Sequence, residues 1–182
     1  MSSRPPETTR RAAFLDRDGV LNERPPEHDY IRSVDAFRWL SGACDAVRRL
    51  NASPYVPIVV SNQRGIARGL VDRQTVGEIE QRIQRDLRCC GASIADFYYC
   101  PHDIDEACAC RKPAPGLLVA AAERHQLDLT RSVMIGDSET DVEAGRAAGC
   151  MTIRIGEPGS PSRADIVVQS LGSAVDRLLL KG

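Results

Sequence analysis

Two aspartates in the sequence FLDRDGVLN, residues 14–22, are the strongest candidates for chemistry in this chain. Residues 12–15 form a short apolar run and Gly19 interrupts it, so we expect Asp16 at the carboxyl end of a buried strand. Side chains two positions apart on an extended chain face the same way, so Asp16 and Asp18 can address one site. Two neighbouring carboxylates repel unless a cation joins them or one carries a proton. The motif therefore predicts a cation site or an acid, with a polar turn that has no chemistry as the alternative.

Three more polar side chains extend this candidate site. Ser61 and Asp137 each follow an apolar run, and Lys112 lies shortly before an expected helix. The carboxyl ends of parallel strands meet at one rim of an open α/β sheet, where ligands bind. We therefore expect Asp16, Ser61, Lys112 and Asp137 around one pocket. Two carboxyl groups, a hydroxyl, an ammonium group and an acidic metal ligand suit phosphoryl transfer through an aspartyl-phosphate.

A second cluster of candidate ligands combines three thiols with one imidazole. Its members are Cys100, His102, Cys108 and Cys110. This number and softness of ligands suits a tetrahedral Zn²⁺ ion, and four protein ligands leave no open position for substrate. We therefore expect a structural zinc that fixes the loop, so that Arg111 and Lys112 reach the site in a fixed geometry.

The chain alternates between apolar runs and amphipathic stretches. Expected strands span residues 12–15, 55–60, 94–99, 131–135, 151–155 and 165–168. Expected helices span residues 41–51, 117–126, 139–148 and 170–180, and a further helix capped by Asp72 carries an apolar stripe of Val76, Ile79, Ile83 and Leu87. This alternation predicts an α/β fold with a mostly parallel sheet and helices on both faces. The prolines at positions 54 and 57 predict an edge-like beginning for the second strand.

Length and composition limit the class of protein. The 182 residues fit a single domain, which we place at residues 11–182 after a flexible tail at residues 1–10. With 24 basic and 25 acidic side chains, the net charge of -1 favours neither nucleic acid nor a membrane surface as partner. No apolar run approaches the roughly 20 residues that a membrane helix needs. We expect a cytoplasmic monomer that acts on a small molecule.

The order of these motifs resembles that of the haloacid dehalogenase (HAD) superfamily of phosphatases, over residues 12–155. The resemblance implies a Rossmann-like three-layer sandwich. It also implies that Asp16 attacks phosphorus, and that Asp18 protonates the departing alkoxide and then deprotonates the hydrolytic water. Too little sequence separates Asp16 from Ser61, or Ser61 from Lys112, to hold a separate cap domain.

The same resemblance implies a magnesium ion at the rim. Its ligands would be the Asp16 carboxylate, the backbone carbonyl of Asp18 and Asp137, with Asp141 holding the metal indirectly. Ser61 and Lys112 would bind the transferring phosphoryl oxygens, where charge must be stabilised.

Within the superfamily, the cysteine cluster and the strings SNQRGIARG (residues 61–69) and CRKP (residues 110–113) resemble the heptose 1,7-bisphosphate 7-phosphatases. This implies removal of the 7-phosphate during synthesis of nucleotide-activated heptose, with substrate contacts from Arg24, Asn62, Gln63, Arg64 and Arg111. Five residues separate His102 from Cys108, a spacing closer to that of the related histidinol-phosphatase domains. A histidinol phosphatase, another small sugar-phosphate phosphatase and a non-catalytic zinc-stabilised binding module are the alternatives.

Overall fold

The computed structural model of the chain describes residues 10–26 and 29–180. Its strands are β1 (Arg11–Leu15), β2 (Tyr55–Asn62), β3 (Asp96–Cys100), β4 (Val133–Gly136), β5 (Met151–Ile155) and β6 (Ile166–Val168). Its α-helices are α1 (Ala43–Asn51), α2 (Arg64–Ala67), α3 (Arg73–Cys89), α4 (Gly116–His125), α5 (Glu139–Ala147) and α6 (Leu171–Leu179). Two short 3-10 helices span Val34–Ala36 and Leu129–Arg131. The expected tail at residues 1–10 lies outside the described residues except for residue 10.

All six strands form one parallel sheet in the order β3-β2-β1-β4-β5-β6. The predicted α/β class is confirmed, and the sheet is entirely rather than mostly parallel. In the described residues, the chain between β1 and β2 and between β2 and β3 forms only loops and helices, and it contains no further strand. Within this part of the chain there is accordingly no separate cap domain.

Strand β1 lies near the middle of the sheet and is buried on both faces. Ala13 and Leu15 belong to the core cluster that α1, α3 and α6 cover, whereas Ala12 and Phe14 belong to the cluster under α4 and α5. Burying a side chain as large as leucine or phenylalanine contributes about 1.5–3 kcal/mol. Both faces therefore hold β1 in place, and with it Asp16, whose amide donates to the carbonyl of Ile135 on β4 at 3.0 Å.

Strand β2 differs from its predicted form in length. Its pairing with β3 starts at Ile58, so residues 55–57 have only β1 as a strand neighbour, and Pro57 falls in this edge-like part as expected. The strand continues past residue 60 because Ser61 and Asn62 pair with residues of β3. Ser61 is therefore part of the sheet rather than of the following loop, which itself contains the short helix α2.

Two further local features concern the helices on one face of the sheet. The Asp72 carboxylate accepts from the amide of Thr75 at 2.7 Å, as the predicted cap of α3 requires. A disulfide joins Cys44 of α1 to Cys90, which follows α3. This pair could not be predicted from the sequence, because 46 positions separate the two cysteines. None of the helices in residues 10–26 and 29–180 is long and apolar enough to cross a membrane.

Candidate active site

Three side chains from different parts of the sequence meet at the carboxyl rim of the sheet. The Lys112 Nζ lies 3.0 Å from Asp16 Oδ1 and 2.5 Å from Asp141 Oδ1, and it donates to the carbonyl of Val60 at 2.8 Å. Lys112 is only 3% exposed, so these contacts form away from water. The ammonium group is therefore held by the last residues of β2 and by two carboxylates.

We use the name carboxylate rim for Asp16, Asp137 and Asp141, whose carboxylate oxygens lie within 4.8 Å of one another. Burial, followed by the negative charge of Asp16, raises the pKa of Asp137 to about 7. Burial likewise raises the pKa of Asp16, although the charge of Lys112 opposes this shift. Two buried carboxyl groups, a partly buried third and only one ammonium group beside them are a donor set that a divalent cation with oxygen ligands fits.

Gly19 explains why Asp137 can approach the motif of Asp16 and Asp18 so closely. Gly19 has φ +85°, a conformation that favours glycine, and a Cβ atom there would lie 1.9 Å from Asp137 Oδ2. Asp137 also accepts from the Arg24 guanidinium at 2.6 Å. The glycine of the first motif therefore makes room for the aspartate that follows β4.

Asp141 lies in the first turn of α5 and bonds to Ser138, the residue that caps this helix. Its Oδ2 accepts from the amide and the hydroxyl of Ser138 at 3.1 and 2.6 Å, as in a capping box, and its Oδ1 faces Lys112. The side chain is fully buried. In the structure, Asp141 thus orients the ammonium group as well as lying beside Asp16 and Asp137.

Asp18 follows β1 and has its own set of side-chain partners. Its Oδ1 accepts from Asn22 Nδ2 at 2.9 Å and from Arg17 Nε at 3.0 Å. Burial opposes ionisation, but the charge and hydrogen bonds of Arg17 lower the pKa of Asp18 below its usual value. The sequence motif indicated neither Arg17 nor Asn22 as a partner. The position of Asn22 directly after the apolar Val20 and Leu21 was a usable signal, and the structure shows that Asn22 is buried.

An open cavity of about 310 Å³ connects these groups. Its lining consists of Asp16, Asp18, Arg24, Pro25, Pro26, Asp29, Tyr30, Ile31, Ser61, Asn62, Gln63, Lys112, Ser138, Thr140 and Asp141. Sequence reasoning assigned no contact to Thr140, which reaches the cavity from the first turn of α5, or to Tyr30, which lies between β1 and the first 3-10 helix. A larger groove of about 530 Å³ lies between α3 and the start of β3, but it contains none of the residues expected to do chemistry.

The residues expected to contact substrate fall into two groups. Arg24, Asn62 and Gln63 line the cavity, whereas Arg64 and Arg111 bond to groups near the cysteine cluster. Arg64 pairs with Asp103, and Arg111 donates to the carbonyl of His102 at 3.0 Å. Asn62 exchanges two hydrogen bonds of 3.0 Å with the backbone of Lys112. Its amide therefore joins the end of β2 to the loop that carries the lysine.

The cysteine loop, residues 100–110, brings its four candidate ligands together. Cys100 Sγ lies 3.7 Å from Cys108 Sγ and 3.4 Å from His102 Nδ1, which is 3.2 Å from Cys110 Sγ. Tetrahedral zinc with Zn–S bonds of about 2.3 Å and Zn–N bonds of about 2.0 Å separates its ligand atoms by about 3.5–3.8 Å. The cluster therefore has the size and chemistry to hold a metal ion.

Comparison with known proteins agrees with this geometry. A family model described as "HAD-hyrolase-like" matches residues 109–174. The D-glycero-beta-D-manno-heptose-1,7-bisphosphate 7-phosphatase of Rhodopseudomonas palustris is 41% identical over 147 residues, 77% of this chain and 80% of that protein. The chain belongs to the heptose-1,7-bisphosphate 7-phosphatase family of HAD hydrolases.

Members of this family with the other anomer in their name are also similar. The D-glycero-alpha-D-manno-heptose-1,7-bisphosphate 7-phosphatase of Mycobacterium bovis is 39% identical over 165 residues, 87% of this chain and 86% of that protein. The crystal structure of the Bordetella bronchiseptica D,D-heptose 1,7-bisphosphate phosphatase, complexed with magnesium and phosphate, has a TM-score of 0.87 and 31% identity. That match covers 94% of this chain and 99% of the other. The expected superfamily, fold and class of enzyme are confirmed.

Proposed function

We propose that this protein removes the 7-phosphate of D-glycero-D-manno-heptose 1,7-bisphosphate, as the names of its relatives indicate for those proteins. The observation that carries the proposal is the contact of Asp16 with the buried ammonium of Lys112, 3.0 Å apart, at the base of an open cavity. A carboxylate held beside a cation at a strand end is placed to act as a nucleophile on phosphorus. The product would enter the synthesis of nucleotide-activated heptose.

The first step is transfer of the phosphoryl group to Asp16. A carboxylate oxygen of Asp16 forms a bond to phosphorus while the bond between phosphorus and the sugar oxygen breaks. Asp18 enters this step in its protonated form, which its lowered pKa makes a strong acid, and gives the proton to the departing oxygen, so that the sugar leaves as an alcohol. Ser61 and Lys112 bind the phosphoryl oxygens, where negative charge develops.

The second step returns the enzyme to its starting state. Asp18, now ionised, takes a proton from a water molecule that attacks phosphorus and breaks the bond to Asp16. Inorganic phosphate leaves, and both carboxyl groups regain their first protonation states. The hydrogen bonds of Asn22 and Arg17 to Asp18 support its ionised form in this step.

Two metal ions complete the proposal. Asp16, Asp137 and the backbone carbonyl of Asp18 would hold Mg²⁺, which when bound supplies positive charge between the phosphate and the carboxylates. The raised pKa of Asp137 and the magnesium in the Bordetella bronchiseptica structure support this ligand set. The cysteine loop would hold a structural Zn²⁺, which its ligand separations support.

We propose that the loops around the cavity determine which substrate is selected. Arg24, Asn62 and Gln63 already line it, and Arg64 and Arg111 lie on the loops beside it. An arginine fork can bind the phosphate that is not cleaved, provided that Arg111 turns from the His102 carbonyl. A monomer with one domain at residues 11–182, acting in the cytoplasm on a small molecule, is the form in which we propose that it works.

A substrate panel tests the proposal. Phosphate release from the alpha and beta anomers of heptose 1,7-bisphosphate and from histidinol phosphate is measured with Mg²⁺, with the Asp16→Asn variant as background. We expect one heptose anomer to have a kcat/KM at least tenfold above that of histidinol phosphate. Faster turnover of histidinol phosphate would favour that alternative, which the five-residue spacing between His102 and Cys108 supports. No release from any of them would favour a binding module.

A further inference from the structure

Arg17 is a fully buried charge, and the steps above mention it only as support for the ionised form of Asp18. It lies between Asp16 and Asp18 in the sequence and is only 1% exposed. Burying a guanidinium is costly unless its charge and donors are satisfied, so its contacts indicate why it is there. All the hydrogen bonds that its guanidinium makes with described residues go to side chains that line the cavity.

The contacts of Arg17 with Asp18 have the geometry of a fork. Nε lies 3.0 Å from Asp18 Oδ1, and Nη2 lies 3.0 Å from Oδ2. Such a bidentate pair fixes the plane of a carboxylate as well as its position. On the other side of the guanidinium, the ring of Tyr99 lies with its centroid 5.9 Å from the central carbon, which helps to keep the side chain in place.

Gln63 extends this arrangement to the phosphate-binding side of the site. Its Oε1 accepts from Arg17 Nη2 at 3.2 Å, and its Nε2 donates to the Ser61 hydroxyl at 3.2 Å. The contact between Gln63 Nε2 and Asp18 Oδ2 is longer, 3.5 Å. Without Arg17, Asp18 would keep one short side-chain hydrogen bond, from Asn22. Its carboxylate would then be free to turn.

We propose that Arg17 is a positioning residue that holds the Asp18 carboxylate where it can exchange a proton with the sugar oxygen. This inference rests on the proposed function, because it takes Asp18 as the acid and base of that reaction. Arg17 does not touch the substrate in this account and acts through Asp18 alone. Lysine cannot replace it fully, since an ammonium group lacks the two-point fork.

The leaving group of the substrate separates this role from a general structural one. A sugar alkoxide needs a proton as it departs, whereas p-nitrophenolate leaves without one. Transfer of phosphate from p-nitrophenyl phosphate to Asp16 therefore does not require Asp18 as an acid, but hydrolysis of the aspartyl-phosphate still requires it as a base. A variant with a misplaced Asp18 releases one rapid equivalent of p-nitrophenolate and then turns over slowly.

The experiment compares Arg17→Met and Arg17→Lys with wild type on both substrates by rapid mixing. For Arg17→Met we expect kcat on heptose 1,7-bisphosphate to fall by about 100-fold, the lower end of what general acid–base catalysis contributes, with KM changed by less than about threefold. The first turnover of p-nitrophenyl phosphate should stay within about threefold of the wild-type rate. Arg17→Lys should recover part of the lost kcat. Arg48→Met, which removes an exposed pair with Asp45 on α1, is the matched control and should behave as wild type on both substrates.

An equal loss in both first turnovers would overturn the proposal, as would unchanged kcat on the heptose substrate. If Arg17→Met does not fold, Arg17→Lys decides alone: full heptose turnover counts against the fork, and loss with a retained p-nitrophenolate burst supports it. The wild-type protein distinguishes the two proposals. Failure of the wild-type protein to hydrolyse heptose 1,7-bisphosphate would reject the proposed substrate. The role of Arg17 could then still be tested by comparing kcat of wild type and Arg17→Met on glycerol phosphate, another alkyl phosphate.

Discussion

The carboxylate rim and the cysteine loop are both candidate metal centres, but they are built in different ways. The rim collects Asp16, Asp137 and Asp141 from the ends of two neighbouring strands and the helix after one of them, far apart in the sequence. The cysteine loop takes its four ligands from residues 100–110. One centre exists only because the sheet is formed, whereas the other depends on a single loop. The rim offers hard oxygen ligands suited to Mg²⁺, and the loop offers sulfur and nitrogen ligands suited to Zn²⁺.

This difference in construction indicates that the two centres have separate tasks. Two members of the rim, Asp16 and Asp141, line the cavity and contact Lys112, so these groups are placed for the reaction. The loop ends at Cys110, directly before Arg111 and Lys112, so a metal held there would act on the reaction through the positions of these two side chains. Variants of each centre should therefore change different observables.

The largest expected effect comes from Asp16→Asn. An amide is a poor nucleophile, so we expect turnover of the heptose substrate to fall by at least about 10⁴-fold. Because the rim and the loop are separate, the zinc content measured by elemental analysis should stay at the wild-type level. Retained turnover would exclude Asp16 as the nucleophile, and a loss of zinc would show that the two centres are not independent.

Lys112→Met tests the contact between the rim and the end of the cysteine loop. The change removes the ammonium group that lies beside two buried carboxylates, and removing one partner of a buried ion pair costs about 3–5 kcal/mol of stability. Without a donor to the phosphoryl oxygens, kcat should fall by about 10²–10³-fold. Urea unfolding and steady-state kinetics measure the two effects. A variant as stable as wild type would contradict the described ion-pair geometry.

Cys108→Ser tests the loop. We expect the loss of most of the bound zinc and a fall in kcat of about tenfold, the scale seen when a group that orients a reacting one is removed. Magnesium dependence should be unchanged, since the rim keeps all its carboxylates. The exposed Cys89→Ser is the matched control and should retain both zinc and activity. Full activity in a zinc-free Cys108→Ser protein would show that the loop does not position Lys112.

The smallest effect is expected for Asn62→Ala, which cuts the link between the two regions. Its amide makes two hydrogen bonds with the backbone of Lys112, each contributing about 0.5–1.5 kcal/mol. We expect stability to fall by about 1–3 kcal/mol and kcat by about fivefold, with zinc retained. If KM rises while kcat is unchanged, the amide acts on substrate binding instead of on the lysine.

The carboxylate rim and the cysteine loop differ in how far the sequence predicted them. The cysteine loop was visible from its spacing alone, because its ligands are close in the sequence. The rim required a fold: Asp16 and Asp137 could be placed together only because apolar runs alternating with helices imply a parallel sheet. That inference also placed Ser61 and Lys112 at the same rim.

The features that sequence reasoning missed depend on packing and side-chain direction. Arg17 between two aspartates has the pattern of a solvated charge, yet it is buried under Tyr99 and Asp18. The pairing of Cys44 with Cys90 follows from how α1 and α3 lie on one face of the sheet. The contacts of Arg64 and Arg111 with groups near the cysteine loop depend on rotamers, which residue types do not specify.

The central claim is that phosphate passes through a covalent bond to Asp16. Wild-type protein mixed with heptose 1,7-bisphosphate and Mg²⁺, quenched in acid within one turnover and digested with pepsin, allows mass spectrometry to locate the phosphoryl group. We expect a mass increase of one phosphoryl group on Asp16, absent from Asp16→Asn. A phosphoryl group on another residue would contradict it, as would ¹⁸O from labelled water appearing in the Asp16 carboxylate instead of in the released phosphate.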